Sequence, residues 1–228
     1  MSLPFEDRRD AGRHLAMGLL AYADMPDVLV LGLPRGGVPV AYEVALQLNQ
    51  PLDVFVVRKL GVPGREELAM GAVASGGTRV LNWGVVQGLR IPEEVIEQEA
   101  RHELQVIRQR EEDYRGDLPP LRVQGQTILL IDDGLATGST MLAAVAALRQ
   151  MDPSRLVVGV PVGSPEACQE VGRRVDEIDC TATPEPFYAV GQWYRDFGET
   201  SDQEVRDLLR WARDRAGYWT PPPETQSP

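Results

Sequence analysis

The sequence predicts an α/β fold built on a central, mainly parallel sheet of about five strands flanked by helices. Three observations predict it. Near-continuous apolar runs alternate with helical patterns, the signature of strands joined by crossover helices. Those runs do not alternate polar with apolar, as expected for strands covered on both faces. Glycine-bearing turns stand where runs pass into helices.

In order, the first strand is read at Asp27–Leu33 and a helix at Val38–Leu48. A second strand is read at Leu52–Val57 and a third at Thr127–Ile131. A helix over Thr140–Met151, apolar nearly all round, is expected to be buried. The fourth strand is read at Arg155–Val160, with a weaker fifth at Val175–Cys180. Outside the alternation, Gly61–Asn82 is glycine-rich with short β-like stretches and reads as a mobile loop followed by a hairpin. Pro92–Tyr114 reads as a long helix with Pro92 in its first turn and an apolar stripe at Ile96, Ala100, Leu104 and Ile107. A short N-terminal helix is read at about Asp7–Ala23. His14 lies on its flank and His102 off the long helix's stripe, so both read as surface or boundary residues. We expect one domain over 1–220, with its core at about 24–182, a small hood from the N-terminal and C-terminal segments, and a disordered tail at 221–228.

Composition narrows the function. The 228 residues carry 23 basic and 34 acidic groups, a net charge of −11, and show no basic patch to attract nucleic acid. The apolar runs are far too short to span a membrane. Cys168 and Cys180 form no CxxC pair, and the N-terminus shows no apolar leader core, so a cytoplasmic location is expected. Of the 23 basic residues only Lys59 is a lysine, next to Arg58 at the end of an apolar run.

The chemistry concentrates at Ile128–Thr140, a strand ending in Asp132 and Asp133 and turning through small and hydroxyl residues into a helix. Backbone N–H groups of such a loop, aided by a helix N-terminus, cradle a phosphate. The adjacent carboxylates are placed to accept hydrogen bonds from vicinal sugar hydroxyls. Together they describe a sugar phosphate. No GxxxxGK[ST] motif is present, which excludes a P-loop NTPase. No lysine follows residue 59, which excludes a phospho-acceptor receiver domain. A capped turn into a buried helix would explain Thr137 or Ser139 but not two adjacent acids.

The stretch Ile131–Thr140 resembles the phosphoribosyl-pyrophosphate (PRPP) motif of type I phosphoribosyltransferases. The resemblance implies that family's fold, with a flexible loop or hairpin and a small hood. It assigns Asp132 and Asp133 to the ribose hydroxyls and Ala136, Thr137, Gly138, Ser139 and Thr140 to the 5-phosphate. Leu31–Val38 resembles the family's pyrophosphate loop, with Arg35, Gly36 and Gly37 at its centre and a non-proline cis peptide expected at Arg35–Gly36. From the residues alone, the two glycines permit a strained turn that aims N–H groups at an anion. Arg58–Val73 matches a bacterial branch in which the basic pair ends the second core strand. Arg58 and Lys59 would then face Arg35 and stabilise leaving pyrophosphate. Arg65, Glu66 and Glu67 read equally as loop residues of the site or as solvated charge. Phe187–Phe197 resembles the base-binding end of 6-oxopurine enzymes, offering Tyr188, Trp193 and Tyr194 for stacking. That family's base-reading lysine and loop serine-tyrosine pair have no counterpart here.

The resemblance implies transfer of 5-phosphoribosyl from PRPP to a nitrogenous base, with Arg35, Arg58, Lys59, Asp132 and Asp133 at the chemistry. Mg²⁺ would be held mainly through PRPP, with Asp132 and Asp133 reaching it through water, and a homodimer is expected. Two alternatives stay open: a non-catalytic PRPP- or nucleotide-binding regulator with the same fold, and hydrolysis at a nucleotide's glycosidic bond.

Overall fold

A computed structural model describes residues 3–116 and 118–215; the expected tail at 221–228 lies outside them. In chain order its elements are α1 (Arg8–Gly18), β1 (Val28–Gly32), α2 (Gly37–Leu48), β2 (Leu52–Val54), β3 (Val57–Val62), β4 (Arg65–Ala74), β5 (Arg79–Leu81), α3 (Trp83–Gly88), α4 (Glu93–Arg115), β6 (Thr127–Ile131), α5 (Ser139–Gln150), β7 (Arg155–Val162), α6 (Pro165–Gly172), β8 (Glu177–Ala182) and α7 (Asp202–Arg215).

Five strands form a wholly parallel sheet in the order β2-β1-β6-β7-β8. The apolar runs are continuous because both faces are covered. On one face α1, α2 and α7 bury Leu15, Val44, Leu48 and Leu208 against Val30, Leu129 and Val157. On the other, α5 and α6 bury Met141, Val145, Leu148 and Val171 against Leu29, Ile128, Leu130 and Val158. β1 leads outward through α2 to β2, whereas β6 leads the other way through α5 to β7. The carboxyl ends of β1 and β6 therefore diverge into a crevice, the place where open α/β sheets bind ligands.

The second expected strand differs from the structure. The run Leu52–Val57 does not stay in one sheet: only Leu52–Val54 pairs with β1. Phe55 still donates its N–H to Gly32 O (3.1 Å), but Val56 exchanges hydrogen bonds with Ser75, donating to Oγ and accepting from N, both at 2.9 Å. Phe55 faces the main core while Val56 faces a separate core under the hairpin. The chain bends between them because two neighbouring apolar side chains belong to different cores. In consequence Arg58 and Lys59 sit not at the end of a core strand but within β3 of a three-stranded antiparallel sheet, β3-β4-β5. The segment read as loop plus hairpin is thus mostly sheet, with its tip at Pro63–Gly64.

That sheet packs on α4, whose Ile96, Ala100 and Ile107 are buried with Leu104 partly so, the stripe read from the sequence. The weak fifth strand begins two residues later than expected, at Glu177. The N- and C-terminal segments meet where Phe5 bridges Tyr194 in parallel register, forming a small cluster with Ala11 and Val162. Cys168 on α6 and Cys180 on β8 form a disulfide, a pairing not read from the sequence. No helix among the described residues is long and apolar enough to cross a membrane.

Candidate active site

Two loops flank the crevice. The first, after β1, carries Pro34–Gly37. Its non-proline cis peptide lies at Pro34–Arg35, one residue before the expected Arg35–Gly36. Gly36 has ordinary right-handed helical angles, φ −62° and ψ −33°, so the glycines are not there to supply a strained turn. They are required by closeness to the second loop: a Cβ on Gly36 would lie 2.1 Å from Asp133 Oδ2, and one on Gly37 would lie 2.8 Å from Ile131 O and 2.9 Å from Asp132 Oδ1. Leu33 N donates to Ile131 O at 2.9 Å, holding the loops together.

The second loop runs from Asp132 to Gly138. Leu135 N donates to Val162 O and Ser164 N to Leu135 O, while Ser164 Oγ donates to Ala136 O at 2.9 Å. Ser164 also caps α6 by accepting from Ala167 N, so the loop is pinned to the next strand's end. Gly138 is the one left-handed residue here (φ +72°) and caps α5, where the turn needs a residue without a β-carbon. Ala136, Thr137, Ser139 and Thr140 are exposed around it. The first N–H groups of α5 have no intrahelical acceptors, which leaves them for an anion.

The two carboxylates are half-buried and inequivalent. Asp132 Oδ1 accepts from Asp133 N at 2.9 Å. Burial, with the neighbouring Asp133 charge added, holds the Asp132 carboxyl well above its usual range. Burial also raises Asp133, opposed by Arg8, whose Nε donates to Asp133 Oδ2 at 2.9 Å. Among the described residues no group of three or more His, Cys, Asp or Glu could hold a metal. Two hard carboxylates beside a helix N-terminus would suit Mg²⁺ shared with a ligand's phosphates rather than a closed protein cage.

The basic residues divide. Arg58 and Lys59 line a cleft of about 500 Å³ with Val57, Glu99, Glu103 and Thr140, so the hairpin's basic pair shares a space with the first turn of α5. Arg58 Nε pairs with Glu103 at 2.5 Å. Arg35 is engaged on the C-terminal segment, ion-paired with Glu199 and, at 3.8 Å, with Asp202. Arg65 is exposed beside the hairpin's tip.

The aromatic set also divides. Tyr188 is 80 % exposed and Trp193 tilts against Phe187. Tyr194, expected as a stacking residue, is 5 % exposed and covered by Phe5 and Phe197. Its hydroxyl instead donates to Asp133 O at 2.6 Å, so it braces the acid pair rather than offering a face to a base. Sequence reasoning missed Arg8, Ser164, Glu199 and Asp202. Only Ser164 carried a local signal, a helix-capping Ser-Pro-Glu stretch.

The chain is similar to known proteins in both sequence and fold. Two curated Mycobacterium tuberculosis relatives, from strains H37Rv and CDC 1551, provisionally named phosphoribosyl transferases, are each 46% identical over 205 residues. The match covers 90% of this chain and 46% of each relative, so the chain spans about half the length of those proteins. A solved structure, TT1426 from Thermus thermophilus, is 44% identical, covering 90% of this chain and 97% of that one with a TM-score of 0.80. The profile of the phosphoribosyl transferase domain matches residues 6–182, a span that contains both loops of the crevice and the hairpin's basic pair, and the chain accordingly belongs to the phosphoribosyl transferase family.

Proposed function

We propose that the protein transfers the 5-phosphoribosyl group of PRPP to a nitrogenous base, releasing pyrophosphate. The observation that carries the reading is one crevice in which Asp132 and Asp133 stand between a phosphate cradle led by Gly138 and a glycine loop pressed against both acids. In this reading residues 136–140 hold the 5-phosphate and the acid pair accepts from the ribose hydroxyls. The carboxylates then lie near C1, where positive charge develops as the bond to pyrophosphate lengthens.

Backbone N–H groups of the Arg35–Gly37 loop, with Arg58 and Lys59, take the pyrophosphate's charge. Arg35 and Arg58 each exchange a carboxylate partner for phosphate oxygens, a pairing that guanidinium forks favour. Mg²⁺, when bound, would neutralise phosphate charge, with Asp132 and Asp133 reaching it through water. The base approaches beside residues 187–193, where Tyr188 is the exposed aromatic. Catalysis is by positioning and electrostatics, with no protein nucleophile.

A second reading, a non-catalytic PRPP- or nucleotide-binding regulator, is favoured by one observation: Arg35 and Arg58 both already have carboxylate partners. Isothermal titration with PRPP and Mg²⁺, followed by a pyrophosphate-release assay over purines, pyrimidines and pyridine carboxylates, separates them. Binding with base-dependent release is expected. Binding without release supports the regulator, and no binding overturns the transferase and the PRPP-binding form of the regulator.

A further inference from the structure

Asp133 is not held by its own loop alone. Arg8 reaches it from α1, across 125 positions of sequence, with Nε at 2.9 Å from Oδ2. The same guanidinium donates through Nη1 to Gly198 O at 2.6 Å and lies 3.9 Å from the centre of the Phe197 ring. The two side chains are 13% and 16% exposed, so solvent screens their attraction little. Gly36 leaves room for the pair: a Cβ there would stand 3.3 Å from Arg8 Nε as well as against Asp133. From below, Tyr194 fixes the Asp133 backbone carbonyl. A lysine could not reproduce this, since one planar fork serves a carboxylate, a carbonyl and an aromatic face at once.

We infer that Arg8 is a positioning residue for ribose recognition: by engaging Asp133 Oδ2 it sets the carboxylate so that its other oxygen meets a ribose hydroxyl. The inference rests on the phosphoribosyl reading. It differs from a purely structural role, in which Arg8 only ties α1 to the C-terminal segment. If Arg8 acts through Asp133, its loss must weaken ligands that carry the ribose and spare those that carry only phosphate.

The test is isothermal titration of the full chain with PRPP and, separately, with inorganic pyrophosphate, both with Mg²⁺. The proteins are wild type, Arg8→Met, Arg8→Lys, Asp133→Asn and the Arg8→Met/Asp133→Asn double variant. Arg8→Met is expected to weaken PRPP by about tenfold or more, the scale of one charge-assisted hydrogen bond. Pyrophosphate affinity is expected to stay within about twofold, and Arg8→Met is expected to add little to Asp133→Asn, because contacting residues that act as a unit are not additive. Arg8→Lys keeps the charge without the fork and is expected to show the same selective loss, which preserves the test if the methionine variant does not fold. Unchanged PRPP affinity in the variants, equal loss of PRPP and pyrophosphate, or additive losses would each overturn the inference. Failure of the wild type to bind PRPP would overturn the phosphoribosyl reading beneath it, a result distinguishable from wild-type binding with an indifferent Arg8.

Discussion

Gly36 lies against Asp133 so closely that a single added methyl group would stand 2.1 Å from the carboxylate oxygen Oδ2. The loop after β1 and the acid pair are therefore one packed unit, and the glycine's role is lack of volume rather than backbone freedom. Gly36→Ala must displace Asp133 or the Arg8 that pairs with it. We expect PRPP affinity to fall roughly tenfold or more, with a stability loss of about 1–3 kcal/mol. Titration calorimetry and a thermal melt check both.

Asp132→Asn and Asp133→Asn replace acceptors with groups that bind sugar hydroxyls less strongly. Each is expected to weaken PRPP by about 10- to 100-fold, the range for a charge-assisted hydrogen bond. A double variant binding PRPP like wild type would remove the acid pair from the site.

Lys59→Ala should separate binding from turnover. Lys59 is exposed on β3 and lines the cleft that reaches Thr140, so its charge is best used where negative charge grows on the leaving group. The expected result is a fall of roughly 100-fold in kcat with a smaller change in PRPP affinity. Single-turnover pyrophosphate release, beside calorimetry, measures the split.

Gly138→Ala tests the turn into α5. A Cβ there meets Ala167 and Val171 only at 3.5 Å, so space is not the obstacle, whereas φ of +72° is. The expected cost is about 1–2 kcal/mol, read as a fall in Tm of about 2–4 °C per kcal/mol for a chain of this size.

Tyr114 predicts an alkaline limb of stability. Burial, with Asp202 accepting its hydrogen bond, raises it from 10.0 to about 12. A folded-state value above the unfolded one contributes stability that is fully present below pH 10 and is lost as pH rises toward 12. Tyr114→Phe is expected to be less stable near neutrality and to show a shallower decline above pH 10. Tyr22 and Tyr194 are raised too and leave a residual slope. Thermal melts from about pH 8 to about pH 11.5 would report it.

How much was legible in the sequence follows the range of the interactions. The parallel sheet, the α4 stripe and the turn into α5 were readable because apolar continuity, helical period and glycine-hydroxyl turns are local patterns, each confined to one segment. The place of Asp132 and Asp133 at a strand's carboxyl end was readable for the same reason: strand, acids and turn lie within thirteen residues of sequence, Ile128–Thr140. What only the tertiary structure decided are the pairings of distant residues. The bend at Phe55–Val56 depends on which core each side chain enters, the Cys168–Cys180 bond on how α6 lies over β8, and the removal of Tyr194 from any stacking role on its meeting with Phe5. Arg8 is the clearest case. Nothing local distinguishes it from Arg9, yet Arg8 turns to Asp133 and Phe197 while Arg9 turns to Glu43. Neighbours on a helix point about 100° apart, and only the packing of α1 beside the crevice determines which of the two meets the site.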